Sequence, residues 1–152
     1  MKPRDGLFSI EKAAGTLDLN AGQLIDRVGI LLGLRFPCGM ELDRMARQCA
    51  HSMRARPAMD GVNVHFSGAQ NQCERMLSEG RSREEVARYA VEYVLAAVDE
   101  MTARVMNAYG VLPVVYAGGV MSNSLCRARL TEKYGGYFAD PAFSSDNAAG
   151  VA

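Results

Sequence analysis

Apolar residues recur along this chain with two periods, and the switches between them lay out its elements. Ala21, Leu24, Ile25, Val28, Leu31 and Leu32 return every three or four positions, which places them on one face of a helix. Asp18 stands where an N-cap belongs and Gly33 where a helix stops. Residues 35–39, Arg-Phe-Pro-Cys-Gly, break the pattern, and Leu42, Met45, Ala46 and Cys49 begin a second helix. Val62, Val64 and Phe66 alternate with Asn63 and His65, the period of a strand with one buried face. Ser67 then caps a helix with Ala69, Cys73, Met76 and Leu77 inward, ending near Gly80. Ser82-Arg83-Glu84-Glu85 reads as a capping box opening the longest helix. Its inward face runs from Ala87 through Val94, Val98 and Met101 to Ala108, and Gly110 stops it.

The last third turns to short strands. Residues 112–117 form an apolar run ending in Gly118-Gly119, Ser122 opens a helical pattern, and Tyr137-Phe138 reads as another strand. A second polar turn follows at Ser144-Ser145-Asp146-Asn147. Near the N-terminus Phe8 and Ile10 alternate with polar residues, as in a short strand or an extended approach segment. Helices separated by short strands predict an α/β fold. A strand that delivers two glycines to a helix start suits a phosphate or nucleoside. Glycine lets the ligand approach the backbone, and the helix N-terminus offers unpaired N–H groups. Taken singly, either turn also reads as a structural strand–helix corner.

At 152 residues the chain is one domain, long enough to bury a core. Its 17 basic and 17 acidic residues balance, so no global positive field points to nucleic acid, and 49% apolar residues argue against disorder. No apolar run approaches the roughly 18 residues of a membrane helix, and no signal-like segment opens the chain, so a cytoplasmic protein is expected. Cys38, Cys49, Cys73 and Cys126 are scattered without a C-x-x-C pair, and neither His51 nor His65 shares a ligand spacing with them. That spacing argues for reduced, buried thiols rather than structural zinc. Arg44, Arg47, His51 and Arg54 lie three or four apart, a stripe that could follow an RNA backbone or simply face water. Ser67 lacks a nucleophile elbow and reads as a cap.

Four blocks, in order, carry a resemblance. DLNAGQLIDR is similar to D-D-A-x-G-E-A-F-D-K, and LGLRFPCG to L-G-L-x-Y-P-G-G. Phe66-Ser67-Gly68-Ala69-Gln70 is similar to F-S-G-L-K. Ala117-Gly118-Gly119-Val120 with Ser122-Asn123, and then the stretch from Ser145 to Ala152, follow A-G-G-V, S/A-N and T-D-N-G-A-M-I-A. The chain thus resembles the C-terminal lobe of the tRNA threonylcarbamoyladenosine enzymes, also known as O-sialoglycoprotein endopeptidases or glycoprotease-type peptidases (peptidase M22).

The resemblance implies the C-terminal lobe of an actin-like ATPase (ASKHA, ribonuclease H-like) fold with inserted helices. Residues 1–152 would be that single lobe, with 1–15 as its approach segment and the N-terminal lobe absent. By position Asp26, Gly39 and Asn123 match nucleotide-binding residues, Gly118 and Gly119 lie beside adenosine and phosphates, and Asp146 matches a metal ligand. Without the resemblance, Asp26 reads equally as a solvated carboxylate beside Arg27. The implied cofactors are an adenine nucleotide and one divalent metal: iron, zinc or magnesium. Such a metal would polarise a carbonyl during acyl transfer. The implied partners are an acyl-adenylate, tRNA and the other lobe, with a homodimer through the side left uncovered.

The chain departs from the pattern at Gln23, where the family has glutamate, at Leu19, where it has aspartate, and at Ala148-Ala149-Gly150 after the metal ligand. The first expectation is therefore half of a carbamoyl-transfer enzyme, inactive as an isolated lobe. A non-catalytic nucleotide- or partner-binding relative is the alternative. A metallopeptidase stands behind both, because no H-E-x-x-H is present.

Overall fold

The longest helix decides where everything else sits. In the computed structural model, which describes residues 2–4 by backbone, 7–9 by backbone and 10–140 in full, it spans Arg83–Tyr109. Its first turn is closed by the capping box the sequence predicts: Ser82 Oγ accepts from Glu85 N at 3.2 Å, and Ser82 N donates to Glu85 Oε2 at 3.1 Å. Gly110, at φ 85°, ends it in the left-handed region where a side chain is strained.

In chain order the elements are β1 (Lys2–Arg4), β2 (Leu7–Ser9), α1 (Ala21–Leu31), α2 (Gly39–Gln48), β3 (Ala58–Asp60), β4 (Asn63–His65), α3 (Ser67–Ser78) and α4 (Arg83–Tyr109). They continue with β5 (Val115–Tyr116), a 3-10 turn (Gly119–Ser122), α5 (Ser124–Tyr134) and β6 (Tyr137–Phe138). Among the described residues the strands pair as three two-stranded sheets: β1–β2 and β3–β4 antiparallel, β5–β6 parallel. Residues 15–17 run beside β4, with Val64 N donating to Gly15 O at 3.1 Å and Leu17 N to Val64 O at 3.0 Å. The expected mixed α/β character is present, with helices dominating among the described residues.

The N-terminal half of α4 is not the one-sided amphipath its spacing predicts. Val91, Glu92, Tyr93, Val94 and Leu95 are buried in succession, so this stretch is buried around its whole circumference. α1, α2, α3 and α5 all pack against it. Ala87, Ala90 and Ala97 let them come close, while Leu24, Val28, Leu42, Ala46, Val64 and Phe66 fill the core around it. The Tyr93 hydroxyl donates to His65 O and accepts from Ala58 N, both at 2.9 Å, which satisfies its polar end and pins the β3–β4 hairpin to the helix.

Four local expectations shift. α1 is capped at Asn20, not Asp18: Asn20 N donates to Gln23 Oε1 at 3.0 Å in a capping box. Asp18 instead accepts from Phe66 N at 2.7 Å and from Ser67 N and Oγ at 3.0 and 2.6 Å, tying the start of α3 to the approach to α1. Ser67 is accordingly the first residue of α3 rather than its cap. The strand expected over 112–117 shrinks to Val115–Tyr116, since Pro113 has no N–H to give to a ladder. Ser122 ends the 3-10 turn, and Asn123 is the residue that caps α5.

Candidate functional site

Asp26 and Cys38, the residue before Gly39, meet across a tight corner. α1 ends at Leu31, with Gly33 at φ 75° just beyond, and the chain doubles back through a cis peptide bond between Phe36 and Pro37. Asp26 Oδ1 accepts from Cys38 N at 2.9 Å, so the carboxylate holds the corner in place while its second oxygen has no hydrogen-bond partner among the described residues. Cys38 turns inward and is fully buried; burial, with Asp26 and Glu41 nearby, pushes its thiol up. Gly39, the first residue of α2, faces open space, with nothing within 4 Å of where a Cβ would stand. No side chain caps α2, which leaves its first N–H groups directed outward.

The second glycine turn is built differently. Gly118 lies at φ 100°, a conformation side chains avoid, and no atom lies within 4 Å of a Cβ at either Gly118 or Gly119. The 3-10 turn follows, and Asn123 Oδ1 accepts from Leu125 N and Cys126 N, both at 3.1 Å. The asparagine oxygen is thus spent on the helix, and its NH2 is the end left to donate.

The two turns belong to neighbouring elements. Ser124 Oγ lies 3.1 and 3.0 Å from the two oxygens of Asp43, one turn along α2 from Gly39. A Cβ on Gly22 would come within 3.8 Å of Val120 Cγ2, so the 3-10 turn rests on the first turn of α1. Asp26, Gly39, Gly118, Gly119 and Asn123 therefore sit on elements that touch one another. Together they offer a carboxylate oxygen, an amide donor and open glycine backbone. Asp146 lies outside the described residues, and among those residues no group of three or more His, Cys, Asp or Glu is placed to hold a metal. The described residues alone do not fit a metal centre.

Sequence reasoning missed the Asp43–Ser124 tie and a cleft away from both glycine turns. That cleft, about 700 Å³, lies between the segment around Arg54 and the facing sides of α4 and α5. In its wall Glu92 is buried between Arg88 Nη2 and Arg129 Nη1, each at 2.8 Å. Lys133 Nζ binds Asp99 at 2.7 Å beside it. A glutamate inside an otherwise apolar helical stripe, four residues after an arginine, was the available signal.

Helices with small sheets, and a glycine turn feeding an asparagine-capped helix, define the class as a mixed α/β protein. The sequence model of the TsaD family, tRNA N6-adenosine threonylcarbamoyltransferase, matches residues 5–152, and the chain belongs to that family. A protein of Thermotoga neapolitana named tRNA N6-adenosine threonylcarbamoyltransferase is 31% identical over 95% of this chain and 48% of its own length. One of the same name from Chlorobium phaeovibrioides is 27% identical over 90% of this chain and 46% of its own length. The chain spans about half the length of the curated relatives it matches.

Proposed function

We propose that this chain is the nucleotide-binding lobe of an enzyme that transfers a threonylcarbamoyl group to an adenosine of tRNA. In this reading the lobe has the actin-like architecture, and its ligand is an adenine nucleotide or the acyl-adenylate. The observation that carries the reading is the meeting of two glycine turns through Ser124 and Asp43 and through Val120 on α1.

Each residue then has one task. The free oxygen of Asp26 accepts from a ribose hydroxyl. Gly39, Gly118 and Gly119 let the nucleoside and phosphates reach the backbone, and the Asn123 amide donates to the ligand. In the transfer, the adenosine N6 amine attacks the carbamoyl carbon. The bond from that carbon to the phosphate oxygen breaks, AMP leaves with the electron pair, and the N6 nitrogen gives up one proton to solvent. The lobe's contribution is to bind and orient the adenylate. Asp146 would supply one ligand to a divalent metal.

Gln23 does not favour a non-catalytic relative. Its amide oxygen closes the capping box on Asn20, a role glutamine and glutamate share.

The test is calorimetry of the chain with an adenine nucleotide, followed by a transfer assay on a tRNA transcript. Weak nucleotide binding and no transfer by the 152-residue chain alone are expected, because half of the relatives' length lies beyond it. Robust transfer by the chain alone, or no change in nucleotide affinity on Asn123→Asp, would refute the assignment.

A further inference from the structure

The chain is neutral, with 17 basic and 17 acidic residues, yet on one side its ion pairs are layered rather than mixed. Along α2, the segment after it and α5, the cation stands outside and the carboxylate beneath. The Arg47 side chain is 53% exposed over an Asp43 at 14%, and Arg129 is 50% exposed over a Glu92 at 5%. His51 and Arg81 share the shielded Glu85 in the same way, while the Lys133 side chain is 55% exposed beside an Asp99 at 35%. The pair on the C-terminal half of α4 is not layered: Arg104 is 39% exposed and Glu100 45%.

Several of these cations line two clefts that adjoin at Arg54. Exposed Arg54 lines the 700 Å³ cleft together with Arg129 and Lys133, and a second cleft of about 420 Å³ together with Arg81. It therefore joins the cations of α5 to those around Glu85. At the other end Asp43 is held by both Arg47 and Ser124, the residue after Asn123. Exposed cations thus stand both on α2, beside the glycine turns, and in the last turn of α5. Exposed carboxylates also stand among them: Glu132 on the rim of the first cleft, Glu79 in the lining of the second, and Glu41 on α2.

Layering turns neutral pairs into an outward positive surface. An approaching anion meets guanidinium N–H groups before it meets the carboxylates behind them. A guanidinium has five N–H donors, so two spent on a carboxylate leave others for a phosphate oxygen. The inner carboxylate also holds the arginine in position, which lowers the ordering cost of a second partner.

We propose that this face binds the phosphodiester backbone of RNA and leads it to the glycine turns. The inference rests on the reading that the whole protein acts on tRNA; an acidic protein surface is the competing partner.

The experiment measures binding of a tRNA transcript to the chain by fluorescence anisotropy over a series of salt concentrations. The logarithm of the binding constant should fall linearly with that of salt. Arg47→Ala and Arg54→Ala should each weaken binding and make the slope shallower by about 1. Both side chains are exposed, so neither change opens the core, and circular dichroism verifies the fold. Arg104→Ala, in the unlayered pair, should leave the slope unchanged. The proposal is overturned if the folded chain does not bind tRNA, or if Arg47→Ala and Arg54→Ala leave the slope where it was. Preference for an acidic peptide over RNA at equal charge also overturns it. Failure of the underlying functional reading shows separately, as a nucleotide affinity that Asn123→Asp does not change.

Discussion

A Cβ placed on Gly29 would stand 2.2 Å from the Cβ of Cys38 and 2.6 Å from its Sγ. Cys38 occupies the space that the glycine leaves open, and this is how the corner beside Asp26 closes on α1. The matching position of the family pattern, P-G-G, carries a glycine where this chain has Cys38. The two positions are therefore coupled here. Gly29→Ala should destabilise the chain by about 1–3 kcal/mol, the usual cost of overpacking. Adding Cys38→Gly should recover much of that loss. Urea midpoints for the two single variants and the double variant measure the coupling, and simple additivity would count against it.

Asp18 makes the fold sensitive to acid. Burial pushes its carboxyl up, but the N–H of Phe66, the hydroxyl and N–H of Ser67 and the N–H of Leu19 outweigh that and hold it well below the usual carboxylate range. A folded value below the unfolded one, about 3.9, contributes stability that is present above the unfolded value. That stability is lost as pH falls toward the folded one. Asp18→Asn should cost about 1–2 kcal/mol at neutral pH, less than a fully buried acceptor because the carboxylate is partly in water. The gap between wild type and variant should close as the solution is acidified. Urea midpoints that differ equally at neutral and acid pH would contradict this.

What the sequence could and could not reveal follows the range of each interaction. The Ser82–Glu85 box was legible because both partners lie within one turn of helix. The α1 cap was not, since Asp18 and Asn20 are both good cap residues. Phe66 and Ser67, far along the chain, decide between them by claiming Asp18. Local spacing also could not show that α4 is buried all round over residues 91–95, because that depends on four other helices packing around it. The candidate site shares this limit. Motif order named Asp26, Gly39 and Asn123, but the contacts between their elements, Asp26 with Cys38, Gly22 with Val120 and Asp43 with Ser124, appear only in the fold.

The four thiols should be inert in the folded protein. All are buried, and burial pushes Cys73 and Cys126 up to about 12, with Glu74 beside the first and Asp43 and Glu92 beside the second acting in the same direction. Thiolate is the reactive form, so little of it exists at neutral pH. A thiol reagent should titrate four groups only in denaturant. Rapid reaction of two or more in the native chain would show that the packing differs.

Asn123 has two roles that one substitution can separate. Asn123→Ala removes the oxygen that holds Leu125 N and Cys126 N, and should cost about 1 kcal/mol of stability through the lost cap. Asn123→Asp keeps an acceptor for the helix but replaces the amide donor with a charge unfavourable to phosphate. Its stability should stay near wild type, while adenine-nucleotide affinity falls by about fivefold or more, the worth of one hydrogen bond. Paired melting and calorimetry decide the matter. Equal loss of stability in both variants would show that the cap is not what the oxygen provides.

The small parallel sheet should mediate weak self-association. Val115 and Tyr137 are direct partners across β5 and β6, and both are largely exposed. The next pair, Tyr116 and Phe138, turns the other way and stacks with ring centroids 4.8 Å apart. One face of the sheet is thus packed and the opposite face is apolar and open, and Val111 and Leu112 just before it are exposed as well. An apolar face of this kind tends to find a partner, and a twofold contact with a second copy is the commonest form. Against it stands the open, polar surface around Gly118, Gly119 and Asn123, which favours water and limits the contact. The balance predicts a monomer–dimer equilibrium at micromolar concentration, with Val115→Lys shifting it to monomer without loss of fold. Sedimentation measures both. A single monomeric species that does not change on concentrating would show that the open face is simply solvated.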